Sequence, residues 1–191
     1  MPLYEHQVFK AIHYASQSLK DYAFIDCQFE NCHFVESDWQ QAQFTDCLFK
    51  NCHLTLVKVE GCRLHHVQFK ECKLSGIEFF RCERKFFSIQ LEQSLVQSCN
   101  FTELNMKKAT FQGCKLRDVH FSHMDLTEAN FTDTDLQGTL FHQCNLSKAN
   151  FTHAKNYLID LQTNQVKQAK FSFPEVVNLL TSFDIQIIDF K

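Results

Sequence analysis

The sequence predicts an all-β solenoid of square coils, and two observations carry that prediction. The first is a five-residue beat of large apolar residues. From Leu19 it reads Phe24, Phe29, Phe34, Trp39, Phe44, Phe49, Leu54, Val59, Leu64, Phe69, Leu74, Phe79. It restarts two residues out of phase at Leu91 and runs through Val96, Phe101, Met106, Phe111, Leu116, Phe121, Leu126, Phe131, Leu136, Phe141, Leu146 and Phe151. It lapses at Asn156 and returns with Leu161, Val166 and Phe171. Helices repeat every 3.6 residues and strands every two, so neither gives a beat of five. A fixed beat held this long marks a repeat architecture. The second observation is a smaller inward residue two positions before most centres, as in C-Q-F-E-N at 27–31 and A-N-F-T-D at 129–133.

Each block therefore turns two side chains inward and three outward. Four blocks close a coil of 20 residues, and coils stack at about 4.8 Å, the spacing of hydrogen-bonded strands. Phe29, Phe49 and Phe69 should form one inner ladder, and Phe111, Phe131, Phe151 and Phe171 another. Every coil touches only its neighbours, and each buried Phe or Leu contributes roughly 1.5–3 kcal/mol. Residues 1–171 read as one repeat body with a phase break near 80–90. There the old frame would place Arg84 at a centre, which a dry core does not accept unpaired. The coil should open, with Arg81, Arg84 and Lys85 projecting as loop contacts and Phe86, Phe87 or Ile89 plugging the interior.

Residues 172–191 differ in kind. Ser172 and Glu175 fit a capping box with Pro174 in the first turn. Val176, Val177, Leu179, Leu180 and Phe183 then predict a short amphipathic helix, followed by a strand-like tail at Ile185, Ile187, Ile188 and Phe190. Solenoid ends need covering. This segment can cap its own core or pair with a second copy, with Phe173, Val176, Val177, Leu179, Leu180 and Phe183 as the candidate dimer interface.

All ten cysteines occupy the inward slot, where a thiol serves as a small hydrophobe. No C-x-x-C spacing is present, so neither a zinc site nor a disulfide framework is expected. Reduced thiols without a leader segment point to the cytoplasm, and no apolar run suits a membrane span. His13, His33 and His53, spaced by 20, read as an exposed polar column rather than a metal site. With only four glycines and no activating triad, neither a phosphate loop nor catalysis is expected. The net charge of −3 is unevenly spread. Residues 21–49 and 118–147 carry acids and no Lys or Arg, while 50–85 carry eight Lys/Arg against four acids, a local +4.

The blocks resemble the pentapeptide-repeat proteins over roughly residues 19–171. The ending N-Y-L-I-D at 156–160, followed by A-K-F-S-F-P-E-V-V-N-L-L-T-S-F-D-I at 169–185, is similar to the topoisomerase-protecting subgroup of Qnr, MfpA and AlbG proteins. That resemblance implies a right-handed quadrilateral β-helix, a tail-to-tail homodimer, and a rod that imitates DNA. It further implies binding to DNA gyrase or topoisomerase IV and relief of poisoning by quinolones or peptide toxins. No cofactor, nucleic-acid or membrane partner is implied. The local acidic zones make Asp26, Asp46, Asp118, Asp133 and Asp135 the candidate partner-binding residues. The alternative is a repeat scaffold or effector module with another protein partner.

Overall fold

The structure, a computed structural model, describes residues 1–183 together with 185, 186 and 188. The chain winds a right-handed β-helix of about eight turns with four flat faces. Strands Leu3–Glu5, Ala23–Ile25, Gln43–Thr45 and Arg63–His65 stack on face 1. Val8–Lys10, Gln28–Glu30, Leu48–Lys50, Val67–Lys70 and Ile89–Glu92 form face 2, which resumes at Asn150–Phe151 and Lys170–Phe171. Face 3 holds His53–Thr55, Lys73–Ser75, Leu95–Gln97 and Lys115–Arg117. Face 4 holds His120–Ser122, Leu140–His142 and Leu158–Ile159. All pairings are parallel, and Phe29 lies opposite Phe49 as Phe49 does Phe69.

The predicted ladders form as stacked rings. Phe29–Phe49 centroids lie 4.6 Å apart and Phe111–Phe131 and Phe131–Phe151 both 4.8 Å apart. The square corner needs one residue per block in the left-handed region, which Asn and Asp tolerate better than most. Asp26, Asn31 and Asp46 take it with φ of 51°, 55° and 54°. The residue before the centre is often Asn or Asp for a local reason. In the blocks at 130–132 and 150–152 its side-chain oxygen accepts from the backbone N–H of the Thr after the centre at 3.0 and 3.1 Å, and from the Thr hydroxyl at 2.6 Å in both. These turns satisfy backbone groups that the bend takes out of the ladder.

All ten cysteines are free and buried. Their slot suits a small side chain with a weak donor. The Cys52, Cys72 and Cys144 thiols donate to the carbonyls of Phe29, Phe49 and Phe121 in the preceding coil at 3.2–3.3 Å. Ser37 and Thr134 occupy the same slot and donate to the carbonyls of Phe34 and Phe111 at 3.0 and 2.8 Å. Burial pushes the Cys47, Cys99 and Cys114 thiols up to about 12.

The phase break is a two-residue insertion confined to face 1. Phe79–Arg81 and Arg84–Phe86 form short 3-10 turns. Faces 2 and 3 continue unbroken with a step of 22: Phe69 pairs with Leu91 and Leu74 with Val96. Of the three proposed plugs, Phe87 and Ile89 are buried, whereas Phe86 is 48% exposed.

The lapse at Asn156 has an equally local cause. Face 3 loses two residues, so Phe141 pairs with Ile159, a step of 18. Asn156 turns outward at φ 58° and donates to Asp135 at 2.8 Å. Tyr157 swings in to fill the vacated space, fully buried between Phe151 and Phe171 at 5.9 and 5.6 Å. The sequence frame missed this residue because it sits off the beat. Residues 160–164 restore the length, and Asn164 bridges to the preceding coil: its Oδ1 accepts from Cys144 N–H at 2.9 Å and its Nδ2 donates to the Phe141 carbonyl at 3.0 Å.

At the C-terminal end a 3-10 helix runs over Glu175–Phe183. Leu179 is buried and Val176 packs against the core, so the segment covers the last coil. The capping box does not form. The Ser172 hydroxyl instead accepts from His153 N–H at 2.9 Å, and Glu175 accepts from the Asn178 side chain at 2.9 Å. Within the strand-like tail, Ile187 and Phe190 lie outside the described residues, and Ile185 and Ile188 are exposed.

Candidate protein-binding surface

A rod with a dry aromatic core can act only through its outward columns. In each column side chains recur once per coil, about 4.8 Å apart. The five candidate aspartates are distributed over several columns. Asp26 and Asp46 share the corner between faces 1 and 2, each beside an imidazole: His6 Nδ1 lies 2.8 Å from Asp26 and His66 Nδ1 3.1 Å from Asp46. Asp133 sits at the corner of faces 2 and 3, 3.4 Å from His153 Nδ1. Asp135 lies on face 3, where it joins Asp133 in an open cleft of about 610 Å³ with Lys115, His153 and Lys155. Its bond to Arg117, outweighing the effect of burial, holds its carboxyl down at about 2. Asp118 lies at the corner of faces 3 and 4 over Gly138, where a Cβ would come within 2.3 Å of its Oδ1. Gly138, at φ 74°, therefore makes the room that Asp118 occupies.

Face 4 carries the concentrated charge, which the sequence zones did not reveal. Its register follows from the bridges Ser18–Asp38–Lys58 and Glu78–Asn100–His120 and from the bond of Gly61 N–H to the Arg81 carbonyl. Outward on this face and its trailing corner stand Asp21, Asp38, Glu60, Glu78, Glu103 and Asp160, against Lys20, Lys58 and Arg81. Six acids and three bases give −3, equal to the net charge of the whole chain. These acids stand in different columns of the face, so they come together only once the coil register is imposed.

The projecting arginines of the phase break are tied to this face. Arg81 pairs with Glu60 at 3.2 Å and Glu78 at 2.6 Å, and Arg84 with Glu103 at 2.8 Å. Lys85 points outward over the Phe86 ring at 5.2 Å. Further along face 4, Leu140 and Leu158 pair directly and are 47% and 65% exposed. They lie next to the terminal helix segment, which contacts the Leu158–Ile159 strand.

Within the candidate dimer interface, Phe173, Leu180 and Phe183 are exposed, Val176 and Val177 half-buried, and Leu179 buried. The last belongs to the chain's own core. The histidine column is real: His13–His33 and His33–His53 centroids lie 4.7 and 4.8 Å apart. Desolvation first, then the neighbouring His53 and His13, lowers the pKa of His33. No group of three or more His, Cys, Asp or Glu suited to a metal occurs among the described residues. Nor is any described helix long and apolar enough to cross a membrane.

Coil geometry, inward slots and corner residues together define a quadrilateral β-helix that displays side-chain columns on a rigid rod. The profile of the pentapeptide repeat region matches residues 22–95 and 82–151, and the chain belongs to the pentapeptide-repeat family. Among solved structures, it is similar to two trypsin-treated variants of QnrB1, described as a plasmid-mediated fluoroquinolone resistance protein. One shares 16% identity at a TM-score of 0.56, covering 97% of this chain and 99% of that one. The other shares 14% at a TM-score of 0.53, covering 98% and 100%. HetL of the cyanobacterium Nostoc gives 14% and 0.46 over 88% and 84%. No curated protein matches the chain.

Proposed function

We propose that this protein is a non-catalytic binding rod that engages a type II topoisomerase, DNA gyrase or topoisomerase IV, in place of duplex DNA. The observation that carries the reading is face 4, where a rigid scaffold gathers six carboxylates against three bases and concentrates the net charge of the molecule. Duplex DNA carries one charge per ~1.7 Å, so a net −3 on one face reproduces only part of that density. Shape and the exposed Leu140–Leu158 pair supply the remainder of the contact. The tail resemblance and the shared fold with QnrB1 support a role in protecting the enzyme from quinolone-type or peptide poisons in the cytoplasm. Phe173, Leu180 and Phe183 offer an apolar surface for a second copy. Asp26, Asp46 and Asp133 serve as flanking contacts, each beside an imidazole.

The test is gyrase supercoiling with the protein titrated in, with and without a quinolone. Support is a dose-dependent change in supercoiling or in cleavage-complex levels, competed by DNA and weakened by salt. No change in supercoiling, cleavage complex or DNA binding removes gyrase as the target.

A further inference from the structure

The inserted bulge holds an aromatic ring away from the core at a point where the core does not need it. Phe87 and Ile89 already fill the interior, yet Phe86 projects at 48% exposure, with Lys85 Nζ over one face of its ring at 5.2 Å. His65 meets it edge-on at 6.0 Å, and His66 stacks on His65 at 3.9 Å. Between the bulge and the next coil lies an open cleft of about 280 Å³, walled by Arg84, Lys85 and Lys107 with the polar Ser88, Gln90 and Asn105.

Beyond the cleft, face 1 continues as a basic flank. Lys108 N–H bonds the Thr127 carbonyl, Glu128 N–H that of Ser147, and Lys148 N–H that of Lys167, which sets these residues in consecutive coils. Lys107, Lys108, Lys148 and Lys167 are all exposed. Three carboxylates lie along the same flank: Glu128 is 3.7 Å from Lys108, Asp125 accepts from the Thr127 backbone at 2.9 Å and keeps its charge, and Glu83 opens the bulge. Lys85, Lys107, Lys148 and Lys167 take part in no ion pair among the described residues.

We propose that this flank, from the Phe86 bulge to Lys167, binds single-stranded nucleic acid, with the lysines on phosphates and Phe86 as a platform for one base. Non-specific single-strand sites combine these two features, a positive track and an exposed aromatic face. The four coil steps from Lys85 to Lys167 span about 19 Å at strand spacing, or roughly six phosphates of one strand at 3.4 Å. This departs from the sequence expectation of no nucleic-acid partner. It is independent of the topoisomerase reading, which uses the acidic face 4.

The experiment is fluorescence anisotropy with a labelled oligothymidylate of about 12 nucleotides at low and moderate salt. The expected result is saturable binding that weakens as salt rises. The double variant Lys107→Glu/Lys148→Glu should weaken it at least about tenfold, and Phe86→Ala about fivefold or more, both at unchanged melting temperature. Tryptophan emission from Phe86→Trp should be quenched on titration. Absence of saturable binding overturns the proposal, as does unchanged affinity in the lysine variant. Equal competition by polyglutamate, with Phe86→Ala binding normally, would assign the flank to an acidic polypeptide and also overturn it.

Discussion

Arg117 Nη2 donates to the Asp135 carboxylate at 2.5 Å, from the neighbouring column of the same face. Both side chains are a little more than a quarter exposed. Asp135 is therefore engaged by an ion pair within its own face. The pairing fixes a pH dependence. The folded carboxyl sits at about 2, below the ordinary value near 3.9. Its contribution is complete above pH 4 and lost as pH falls through about 2. Acid unfolding of Asp135→Asn should be flatter than the parent between those values, with circular dichroism as the readout. Identical acid profiles would show the pair to be without weight.

Core substitutions should separate cleanly from surface ones. Phe49→Ala or Phe131→Ala removes a fully buried ring and should cost about 3–5 kcal/mol. Gln28→Ala, on the outside of the same ladder as Phe49, should change stability by less than about 0.5 kcal/mol. Thermal denaturation decides it, and equal shifts would contradict the five-residue register.

Tyr157 makes a sharper test of the local deletion on face 3. Its hydroxyl is buried without a hydrogen-bond partner, and burial raises its pKa to about 12. Tyr157→Phe should therefore be neutral or stabilising by up to about 1 kcal/mol, whereas Tyr157→Ala should cost as much as the ladder phenylalanines. A large loss in Tyr157→Phe would mean that the hydroxyl is satisfied.

The ten thiols should label slowly in the folded protein and all at once on unfolding, since burial rather than activation governs them. Mass spectrometry after native alkylation gives the count. Fast labelling of several sites would refute the inward slot.

Charge reversal should distinguish the two sets of acids. Glu60→Lys with Glu103→Lys should weaken any topoisomerase effect about tenfold or more, acting mainly on association rate. Asp26→Asn with Asp46→Asn should act weakly. The opposite ranking would return the contact surface to the corner of faces 1 and 2. For assembly, Leu180→Glu with Phe183→Glu is the informative pair, because Leu179 is committed to the core. Light scattering should then report a monomer with intact β signal, against a dimer for the parent.

The fold was legible because inward slots recur in a one-dimensional register, so Phe29, Phe49 and Phe69 announce their ladder without any tertiary information. The exceptions were illegible for the same reason. Tyr157 enters the core only because face 3 is two residues short, and Phe86 leaves it only because face 1 is two residues long. The acidic grouping on face 4 was not legible because charge was read along the chain. Asp38, Glu60, Glu78 and Glu103 are far apart in sequence and become one surface only through the coil. Ser172 met every local requirement of a cap, but the backbone N–H of His153 in the coil above claimed its hydroxyl.

The bulge at 83–88 also shows where this architecture can accept added length. Two extra residues enter at one corner while the ladders on the other faces pass by in register, Phe79 still stacked on Phe101 at 4.7 Å. Closing a longer loop there would cost only about 0.6 kcal/mol for each doubling of its length. The corner is thus a natural port for grafting a foreign segment, and the rod is a chassis that can carry a new recognition element without being redesigned.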